Sequence, residues 1–388
     1  METDKISKQA LRLHEKLRGK IMVTGKLKGL KSGDIKLVYT PGVAAVCEEI
    51  YHRPGKKYDL TSKGDNVAIV TDGTRILGLG DIGPYAALPV MEGKAVLYRE
   101  FGGVSAFPIC LATTKKEEIV NAVRAIEPAF GAINLEDIES PKVLEISDEL
   151  SRVLPIPVFH DDRHGTSVVV LSGMINSLKL VKKKMGGVKV VIAGAGSAGY
   201  GICHLLAAAG CRNIIVTDSD GAIYAGRRRN MNKYKNDIAR ITNKKRTRGM
   251  LDEVLRGADV FIGVSGKTNL ISPSMIGGMA KDPIIFALTN PNPEIRPGMA
   301  KAAGARIVAT GSYLYPNKVN NALVFPHLMR VILDRKIRSI TPGLLIATAS
   351  AIARSVPAGR LHYDNILPDM YDRKIQKNIS KAICGLRV

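Results

Sequence analysis

The chain has 388 residues, of which 45% are hydrophobic and 24% charged, and its formal net charge is +22. This length suits two domains rather than one core, and this composition excludes general disorder. No run of about 18 uncharged apolar residues occurs, which argues against a membrane span, and the polar N-terminus lacks the apolar stretch of a signal peptide. The five cysteines are scattered without a Cys-x-x-Cys pair, which favours reduced thiols in a cytoplasm over disulfides or a zinc site.

Basic residues are concentrated in three short runs, at residues 182–184, 227–229 and 244–246. A basic surface attracts anions such as nucleotides, dicarboxylates, nucleic acid or acidic lipid. Aromatic residues make up only 5% of the chain and tryptophan is absent. The pattern of aromatics among charges that reads single-stranded RNA is therefore missing. We interpret the runs as a solvated basic face and expect no nucleic-acid partner.

In chain order, the first half of the sequence mixes helical and strand patterns. Hydrophobic periodicity predicts helices over residues 5–20 and 115–125. Short apolar and β-branched runs predict strands, the first of which leads into a glycine-rich loop at 73–83. The predicted strands of this half cover residues 66–72, 131–135 and 155–159.

An apolar helix predicted over residues 166–178 is a candidate bridge to a second half of regular alternation. Here a helix is predicted over 198–209 and the chain turns mostly helical from residue 326. The predicted strands of this half cover residues 188–193, 213–218, 258–265, 283–289 and 305–310. Strands that alternate with helices imply a parallel sheet with right-handed crossovers. The predicted fold class is therefore α/β, with an N-terminal α/β catalytic domain (1–165) and a Rossmann-type, doubly wound parallel-sheet domain with a helical C-terminal segment (166–388).

The loop Gly194-Ala195-Gly196-Ser197-Ala198-Gly199 follows a β-branched strand and opens an apolar helix. A Gly-x-Gly-x-x-Gly pattern is weak evidence alone but strong in this context. Gly194 permits the tight turn, Gly196 lets the backbone approach a pyrophosphate, and Gly199 lets helix and strand pack closely. The first residues of the helix, Ser197 and Ala198, offer free N–H groups to the phosphates. This loop predicts a site for NAD or NADP.

Asp218 ends the next predicted strand, where an acid accepts hydrogen bonds from the ribose hydroxyls and repels a 2′-phosphate. Asp220 adds to that repulsion, so the sequence favours NAD. The arginines at 227–229 are placed to reach a 2′-phosphate instead, and NADP remains open.

Two acidic pairs, Glu136-Asp137 and Asp161-Asp162, each lie just beyond the end of a predicted strand. Side chains in the loop past a strand can turn to one centre, and four converging carboxylates repel one another unless a cation holds them. Carboxylate oxygens select Mg²⁺ or Mn²⁺ rather than zinc. The alternative is that no metal binds here, that Glu136-Asp137 lies at the start of a helix, and that Asp161-Asp162 forms a solvent-exposed turn.

These features lie among motifs by which the chain resembles malic enzymes of the small bacterial and archaeal type, over nearly its whole length. The matching segments are Tyr39-Thr40-Pro41-Gly42-Val43-Ala44, Thr71-Asp72-Gly73, Leu77-Gly78-Leu79-Gly80-Asp81-Ile82-Gly83-Pro84, Pro89-Val90-Met91-Glu92-Gly93-Lys94, Asn134-Leu135-Glu136-Asp137-Ile138, Phe159-His160-Asp161-Asp162, the glycine loop, Thr289-Asn290-Pro291-Asn292-Pro293-Glu294 and Pro316-Asn317-Lys318-Val319-Asn320-Asn321.

The resemblance implies oxidative decarboxylation of malate to pyruvate and CO₂ with NAD(P)⁺ and a divalent metal. By similarity the metal ligands are Glu136, Asp137 and Asp162. Lys94 matches the lysine that takes the proton from the malate hydroxyl, with Asp161 as the acid that supports it. Tyr39 matches the tyrosine that protonates the enol. A lysine serves as this base if a nearby cation and burial lower its pKa.

The resemblance also assigns the binding of substrate and nicotinamide. Arg75 is similar to a family arginine that grips the substrate carboxylate. Asn290 and Asn320 match asparagines that bind substrate or nicotinamide. Family members commonly form dimers, so a homodimer is expected, in which Tyr39 serves its own or a neighbouring subunit's site.

Two positions depart from the family pattern. Arg163 stands where the family usually has glutamine after the aspartate pair, and a guanidinium there would either weaken the cation or add a substrate anchor. The segment Ser312-Tyr313-Leu314 replaces a family Arg-Ser-Asp, which affects substrate anchoring or loop geometry. Two alternative functions remain open: a malolactic-type decarboxylase built on the same residues, and a basic nucleotide-binding protein with weakened catalysis that contacts nucleic acid.

Overall fold

The first of two sheets is built from four parallel strands of the N-terminal half. This computed structural model describes residues 2–76 and 78–385, with side chains from residue 5 onward; Leu77, part of one matching motif, lies outside the described residues. The strands are β1 (Asn66–Thr71), β2 (Ser105–Cys110), β3 (Ala132–Leu135) and β4 (Val158–His160). Their order is β2-β1-β3-β4, with Val67 opposite Ala132 in β3. The ends of β1, β3 and β4 therefore meet at one edge.

Both faces of β1 and β3 are covered, which explains why their sequences are mainly apolar rather than alternating. Ala68 and Ile133 point into one hydrophobic cluster, while Val67 and Ala132 point into another. The helices of this half are α1 (Glu2–Leu17), α2 (Ile35–Val38), α3 (Gly42–His52), α4 (Lys57–Leu60), α5 (Gly83–Gly102), α6 (Lys116–Ile126) and α7 (Lys142–Val153).

The second sheet has six strands and the doubly wound topology predicted from the sequence. They are β5 (Lys189–Ala193), β6 (Asn213–Asp218), β7 (Gly221–Ala222), β8 (Val260–Gly263), β9 (Ile284–Ala287) and β10 (Ile307–Thr310). Their order is β10-β9-β8-β5-β6-β7, and all neighbours are parallel except β6 and β7. The order reverses between β5 and β8, and ligands of such sheets bind in the crevice beyond the strand ends at that point.

Helices of the second half cover the second sheet and reach back to the first. They are α8 (Thr166–Leu180), α9 (Ser197–Ala208), α10 (Lys233–Ile241), α11 (Leu251–Leu255), α12 (Pro273–Gly277), α13 (Pro297–Ala302), α14 (Phe325–Asp334), α15 (Pro342–Ser355) and α16 (Lys374–Ile383). The predicted C-terminal helical segment is confirmed. Its first helix, α14, packs on α5 of the N-terminal half, while α15 packs on α8 and α16. Among the described residues, no helix is long and apolar enough to cross a membrane.

Candidate active site

Lys94 is the centre of a buried polar network between the two halves of the chain. It projects from α5, its side chain is 7% exposed, and its Nζ lies 2.5 Å from Asp161 Oδ2 and 2.7 Å from Glu136 Oε2. The same ammonium lies 4.1 Å above the ring of Phe325, the first residue of α14. The structure thus brings together three residues that the sequence analysis selected from separate motifs.

The carboxylate of Glu136 is held by a chain of hydrogen bonds that begins one helical turn beyond Lys94. The Tyr98 hydroxyl donates to Asn134 Oδ1 at 2.7 Å, and Asn134 Nδ2 donates to Glu136 Oε2 at 2.9 Å. Tyr98 and Asn134 are fully buried, so this chain fixes the end of β3 against α5. Sequence reasoning gave neither residue a role, although Asn134 lies in a motif that it quoted.

Asp161 is fully buried at the start of a wide turn, Asp161–Gly165, that leads into α8. Its Oδ2 accepts a second hydrogen bond from Asn321 Nδ2 at 2.5 Å, while its Oδ1 has no partner in the part of the chain that the structure describes. The adjacent Asn320, selected from the sequence, shapes its own loop instead: it accepts from the Ala322 N–H and donates to the Gly311 carbonyl. Asn321 is therefore the asparagine that contacts the lysine network.

The carboxylates around Lys94 hold a concentration of negative charge. Burial and repulsion from other carboxylates raise the pKa of Glu136, against the attraction of Lys94. Burial and the charge of Asp162 raise the pKa of Asp137 to about 7. Burial alone would lower the pKa of Lys94, but the charges of Asp161 and Glu136 outweigh it and raise that pKa. A lysine base requires a lowered pKa, and the two carboxylates paired with Lys94 shift its pKa in the opposite direction.

The predicted metal ligands Glu136, Asp137 and Asp162 fit a hard divalent cation in chemistry and charge. They are oxygen donors whose mutual repulsion a cation would relieve, and the buried Asp161 Oδ1 lacks a partner among the described residues. Over residues 5–76 and 78–385, no three acidic, histidine or cysteine side chains are grouped closely enough to form a finished metal site. One oxygen of the Glu136 carboxylate, Oε2, is bonded to Lys94 and Asn134.

Arg75 and Tyr39 lie differently with respect to this network. The Arg75 backbone N–H donates to the Asp137 carbonyl at 3.1 Å, and its positive charge lowers the pKa of Asp137 against the larger effect of burial. Its guanidinium has no hydrogen bond or ion pair within the described residues, so it is available to an anion. Tyr39 is 68% exposed on the loop between α2 and α3. It makes no contact with Lys94 within the described chain.

Arg163 does not lie over the carboxylates, contrary to both readings of this departure. Its guanidinium donates to Asp148 Oδ1 at 3.0 Å and lies 5.0 Å above the ring of Tyr200. It therefore ties α7 to α9. The segment Ser312-Tyr313-Leu314, the second departure from the family pattern, contributes an apolar side chain to a cavity. Tyr313 lines this cavity of about 320 Å³ together with Phe101.

The glycine loop has the geometry that close packing at the crevice requires. Gly194 has φ of +118°, and a Cβ at Gly199 would lie 1.9 Å from the Gly194 carbonyl oxygen. By contrast, a Cβ at Gly196 would meet nothing closer than 3.9 Å, and its nearest neighbour is Ser140 of the N-terminal half. Ser197 opens α9 and is fully buried, with an Oγ that has no partner among the described residues. The open side of the loop thus faces the N-terminal half.

Asp218 ends β6 as predicted, but its carboxylate is already occupied. Its Oδ2 is 2.5 Å from Arg227 Nη2 and 2.8 Å from Lys235 Nζ, and its Oδ1 accepts the Asp220 N–H at 2.9 Å. The sequence analysis treated Arg227 as a competing phosphate ligand. In the structure it is the ion-pair partner of Asp218.

Glu294 organises the loop that carries Asn290. Fully buried, it accepts hydrogen bonds from the Thr289 N–H at 3.1 Å and the Thr289 hydroxyl at 2.5 Å. The Gly266 N–H donates to the same hydroxyl, at 3.2 Å, so Glu294 joins the loops after β8 and β9. Asn290 itself lies beside Gly311, where a Cβ would be 2.7 Å from Asn290 Nδ2. Glu294 lies in one of the motifs quoted above, but the sequence analysis gave it no role. No sequence pattern indicates that a glutamate in a loop is fully buried.

Comparisons with known proteins give one consistent result. Residues 18–151 match the family model of the malic enzyme N-terminal domain, and residues 164–386 match that of the malic enzyme NAD binding domain. The chain is 47% identical to a bifunctional malic/malolactic enzyme of Bacillus subtilis, over 97% of this chain and 92% of that protein. It is 48% identical to an NAD-dependent malic enzyme of Geobacillus stearothermophilus, over 94% and 76%. The crystal structure of an NAD-dependent malic enzyme from Thermotoga maritima matches with a TM-score of 0.91 at 45% identity, covering 97% of this chain and 99% of that one.

Proposed function

Because the chain belongs to the malic enzyme family, we propose that it catalyses the metal-dependent oxidative decarboxylation of L-malate to pyruvate and CO₂ with reduction of NAD⁺ or NADP⁺. The observation that carries this proposal is the buried Lys94 between Asp161 and Glu136. We further propose that residues 1–165 supply the acid–base chemistry and residues 166–388 bind the cofactor, which the two parallel sheets and the extents of the two family models support.

Lys94 is the proposed base for the first step. Its neutral Nζ would accept the proton of the C2 hydroxyl as hydride leaves C2 for the nicotinamide, because C2 becomes a carbonyl carbon only when the O–H bond breaks as well. Asp161, 2.5 Å from that nitrogen, is placed to hold the proton that Lys94 takes up, and Asn321 keeps Asp161 in position.

Glu136, Asp137 and Asp162 are the proposed ligands of Mg²⁺ or Mn²⁺. A bound divalent cation supplies a Lewis acid for the carbonyl oxygen of the 3-oxo acid, which favours loss of CO₂. A cation bound to Glu136 would share that carboxylate with Lys94 and would so weaken one of the two attractions that raise the lysine pKa.

Arg75, with no protein partner for its guanidinium in the described chain, is the proposed anchor for a substrate carboxylate. Asn290 and Asn320 are the proposed contacts to nicotinamide or substrate at the ends of β9 and β10. Asn290 lies beside Gly311, and Asn320 donates to the carbonyl of the same residue. Both asparagines therefore lie beside Gly311, in the loop after β10.

We propose that the protein acts as a homodimer through its N-terminal segment. No described residue from 5 to 62 is buried in the single chain. Large apolar side chains of this segment are exposed, among them Leu11, Leu13, Met22, Val23 and Leu37. An apolar surface of this extent is typical of an interface, and Tyr39 belongs to it. A partner copy would then supply Tyr39 as the proton donor to the enol.

We place the protein in the cytoplasm, where its free cysteines stay reduced.

A malolactic reaction is the second candidate, because a relative 47% identical to this chain is described as bifunctional. The two reactions differ in their products. With limiting NAD⁺, the malic reaction releases pyruvate and reduced cofactor, whereas a malolactic reaction accumulates lactate without free NADH.

The test is the purified chain with L-malate, Mn²⁺ or Mg²⁺ and each cofactor, monitored by absorbance of the reduced cofactor and by assay of pyruvate and lactate. Lys94→Ala should abolish malate oxidation, while decarboxylation of added oxaloacetate survives better because that step needs no hydroxyl proton acceptor. Lys377→Ala, an exposed lysine on α16, is the matched control. Absence of turnover with every pairing of metal and cofactor would refute the proposal, and equal loss of both activities in Lys94→Ala would refute the role of Lys94.

A further inference from the structure

The carboxylate that should distinguish NAD from NADP is neutralised within the protein. A free acid at this position repels a 2′-phosphate. Here Asp218 Oδ2 contacts both Arg227 and Lys235, and its Oδ1 accepts a backbone N–H. The negative charge of Asp218 therefore contacts two positive charges. Asp218 then no longer repels a 2′-phosphate, and the preference for NAD that was predicted from the sequence loses its basis.

The two cations are fixed independently of any ligand. The Arg227 guanidinium is buried and also donates to the carbonyls of Gly221 and Ala222, at 3.2 Å each, and its Nε donates to the carbonyl of Arg229. Lys235 Nζ donates to the carbonyl and side-chain oxygens of Asn230. Because these bonds hold both side chains in place, the charge of Asp218 stays balanced when a cofactor binds.

A basic cavity of about 540 Å³ adjoins this cluster. Asp220, whose N–H bonds Asp218, lines it together with Arg227, and two further arginines, Arg229 and Arg248, line it as well. Arg229 is 86% exposed with its Nε 3.3 Å from Asp220 Oδ2, and the Arg248 guanidinium lies 5.2 Å from the ring of Tyr224. The two acids of the lining are Asp220 and Glu253. With Asp218 and Lys235 counted as well, four cations face three acids, so the cavity and the adjoining cluster keep one net positive charge and attract an anion.

We propose that this cavity accepts the 2′-phosphate of NADP, so that the chain uses NADP as well as NAD and Asp218 does not discriminate between them. The inference rests on the proposed function for the identity of the cofactor and names the specificity of that same site. Arginine suits a phosphate because its planar donors pair with phosphate oxygens.

The test measures binding without malate or metal, so that it does not depend on turnover. Dissociation constants for NADH and NADPH are obtained from cofactor fluorescence, and those for 5′-AMP and 2′,5′-ADP from calorimetry. We expect wild type to bind NADPH within about tenfold of NADH and 2′,5′-ADP more tightly than 5′-AMP. The double variant Arg229→Gln/Arg248→Gln should lose about tenfold in affinity for NADPH and 2′,5′-ADP while NADH is unaffected.

Two further variants separate local contact from general charge. Asp218→Asn removes one negative charge and leaves Arg227 and Lys235 without their acid, so it should shift the ratio toward NADPH, but by less than about tenfold. The exposed pair Lys184→Gln/Lys245→Gln removes the same charge elsewhere and should leave the ratio unchanged. The inference is overturned if wild type prefers NADH by more than about a hundredfold, or if Asp218→Asn shifts the ratio toward NADPH by more than about tenfold. It also fails if the arginine variant matches the lysine control. Failure of malate turnover with the expected binding pattern would reject the proposed function alone.

Discussion

Replacing Glu294 by alanine removes the carboxylate that joins the loops after β8 and β9. Glu294 is fully buried and accepts two hydrogen bonds from Thr289, whose hydroxyl also accepts from the Gly266 N–H. In the alanine variant, the Thr289 N–H and hydroxyl lose the acceptor that Glu294 provides. The loop that carries Asn290 should then lose its fixed position.

The loss of stability in Glu294→Ala follows from the two donors of Thr289 that would be left without an acceptor. A buried donor without an acceptor costs about 1–3 kcal/mol, so Glu294→Ala should lower the free energy of unfolding by about 2–6 kcal/mol. That is a large part of the roughly 5–15 kcal/mol that stabilises a typical native protein. Glu294→Gln keeps an oxygen acceptor and the side-chain volume, and should lose only about 1 kcal/mol, the difference between a charged and a neutral hydrogen bond.

Urea denaturation followed by circular dichroism measures the free energy, and NADH fluorescence measures cofactor affinity. Glu294→Ala should weaken NADH binding by about tenfold, while Glu294→Gln stays within about threefold of wild type. Glu100→Ala, an exposed glutamate on α5, should change stability by less than about 0.5 kcal/mol. The reasoning is wrong if Glu294→Ala unfolds at the same urea concentration as this control, or if the glutamine variant is as damaged as the alanine one.

Three further outcomes are expected. Asp162→Ala should lose metal-dependent turnover while NADH binding persists, and activity within about threefold of wild type would contradict its assignment as a ligand. An equal mixture of Tyr39→Phe and Lys94→Ala subunits, allowed to exchange, should regain up to about a quarter of wild-type activity if each site takes Tyr39 from the partner copy, because about half of the dimers are then mixed and each of these has one intact site; no regain would place both residues in one subunit's site. Arg163→Gln should leave KM for malate within about twofold, because Arg163 pairs with Asp148 rather than with substrate; a tenfold rise would show that it binds substrate.

The strand pattern made the second sheet predictable. Five of its six strands, from β5 to β10 without β7, carry β-branched or aromatic runs that are buried on both faces, which is what a parallel sheet requires. β7 escaped notice because it has only two residues and pairs antiparallel at the edge. A pair of that length leaves no periodicity in a sequence.

The first sheet was only partly predictable, for reasons that lie in its prolines and glycines. β2 contains Pro108, which argues against a strand in a sequence but is tolerated at an edge, where β2 lies. α5 contains Pro89 and several glycines, so the sequence analysis assigned no element to the helix that carries Lys94. One of those glycines is required by packing, because a Cβ at Gly102 would lie 2.5 Å from the Pro326 carbonyl oxygen of α14.

The motifs selected the carboxylates and Lys94, but not the direction in which each side chain points. Arg163 and Asp162 are neighbours in the sequence, yet Arg163 turns outward to Asp148 while Asp162 lies close enough to Asp137 to raise its pKa. Asn320 and Asn321 divide in the same way, since only Asn321 reaches Asp161. Adjacent residues in a loop face different partners. A motif therefore indicates which segment of the chain contributes to the site, but the surrounding packing determines which of its side chains contacts the site. Lys94 joins α5 to the end of β3, the turn before α8 and the first residue of α14, so its surroundings depend on contacts separated by more than 200 residues. No local pattern encodes that junction.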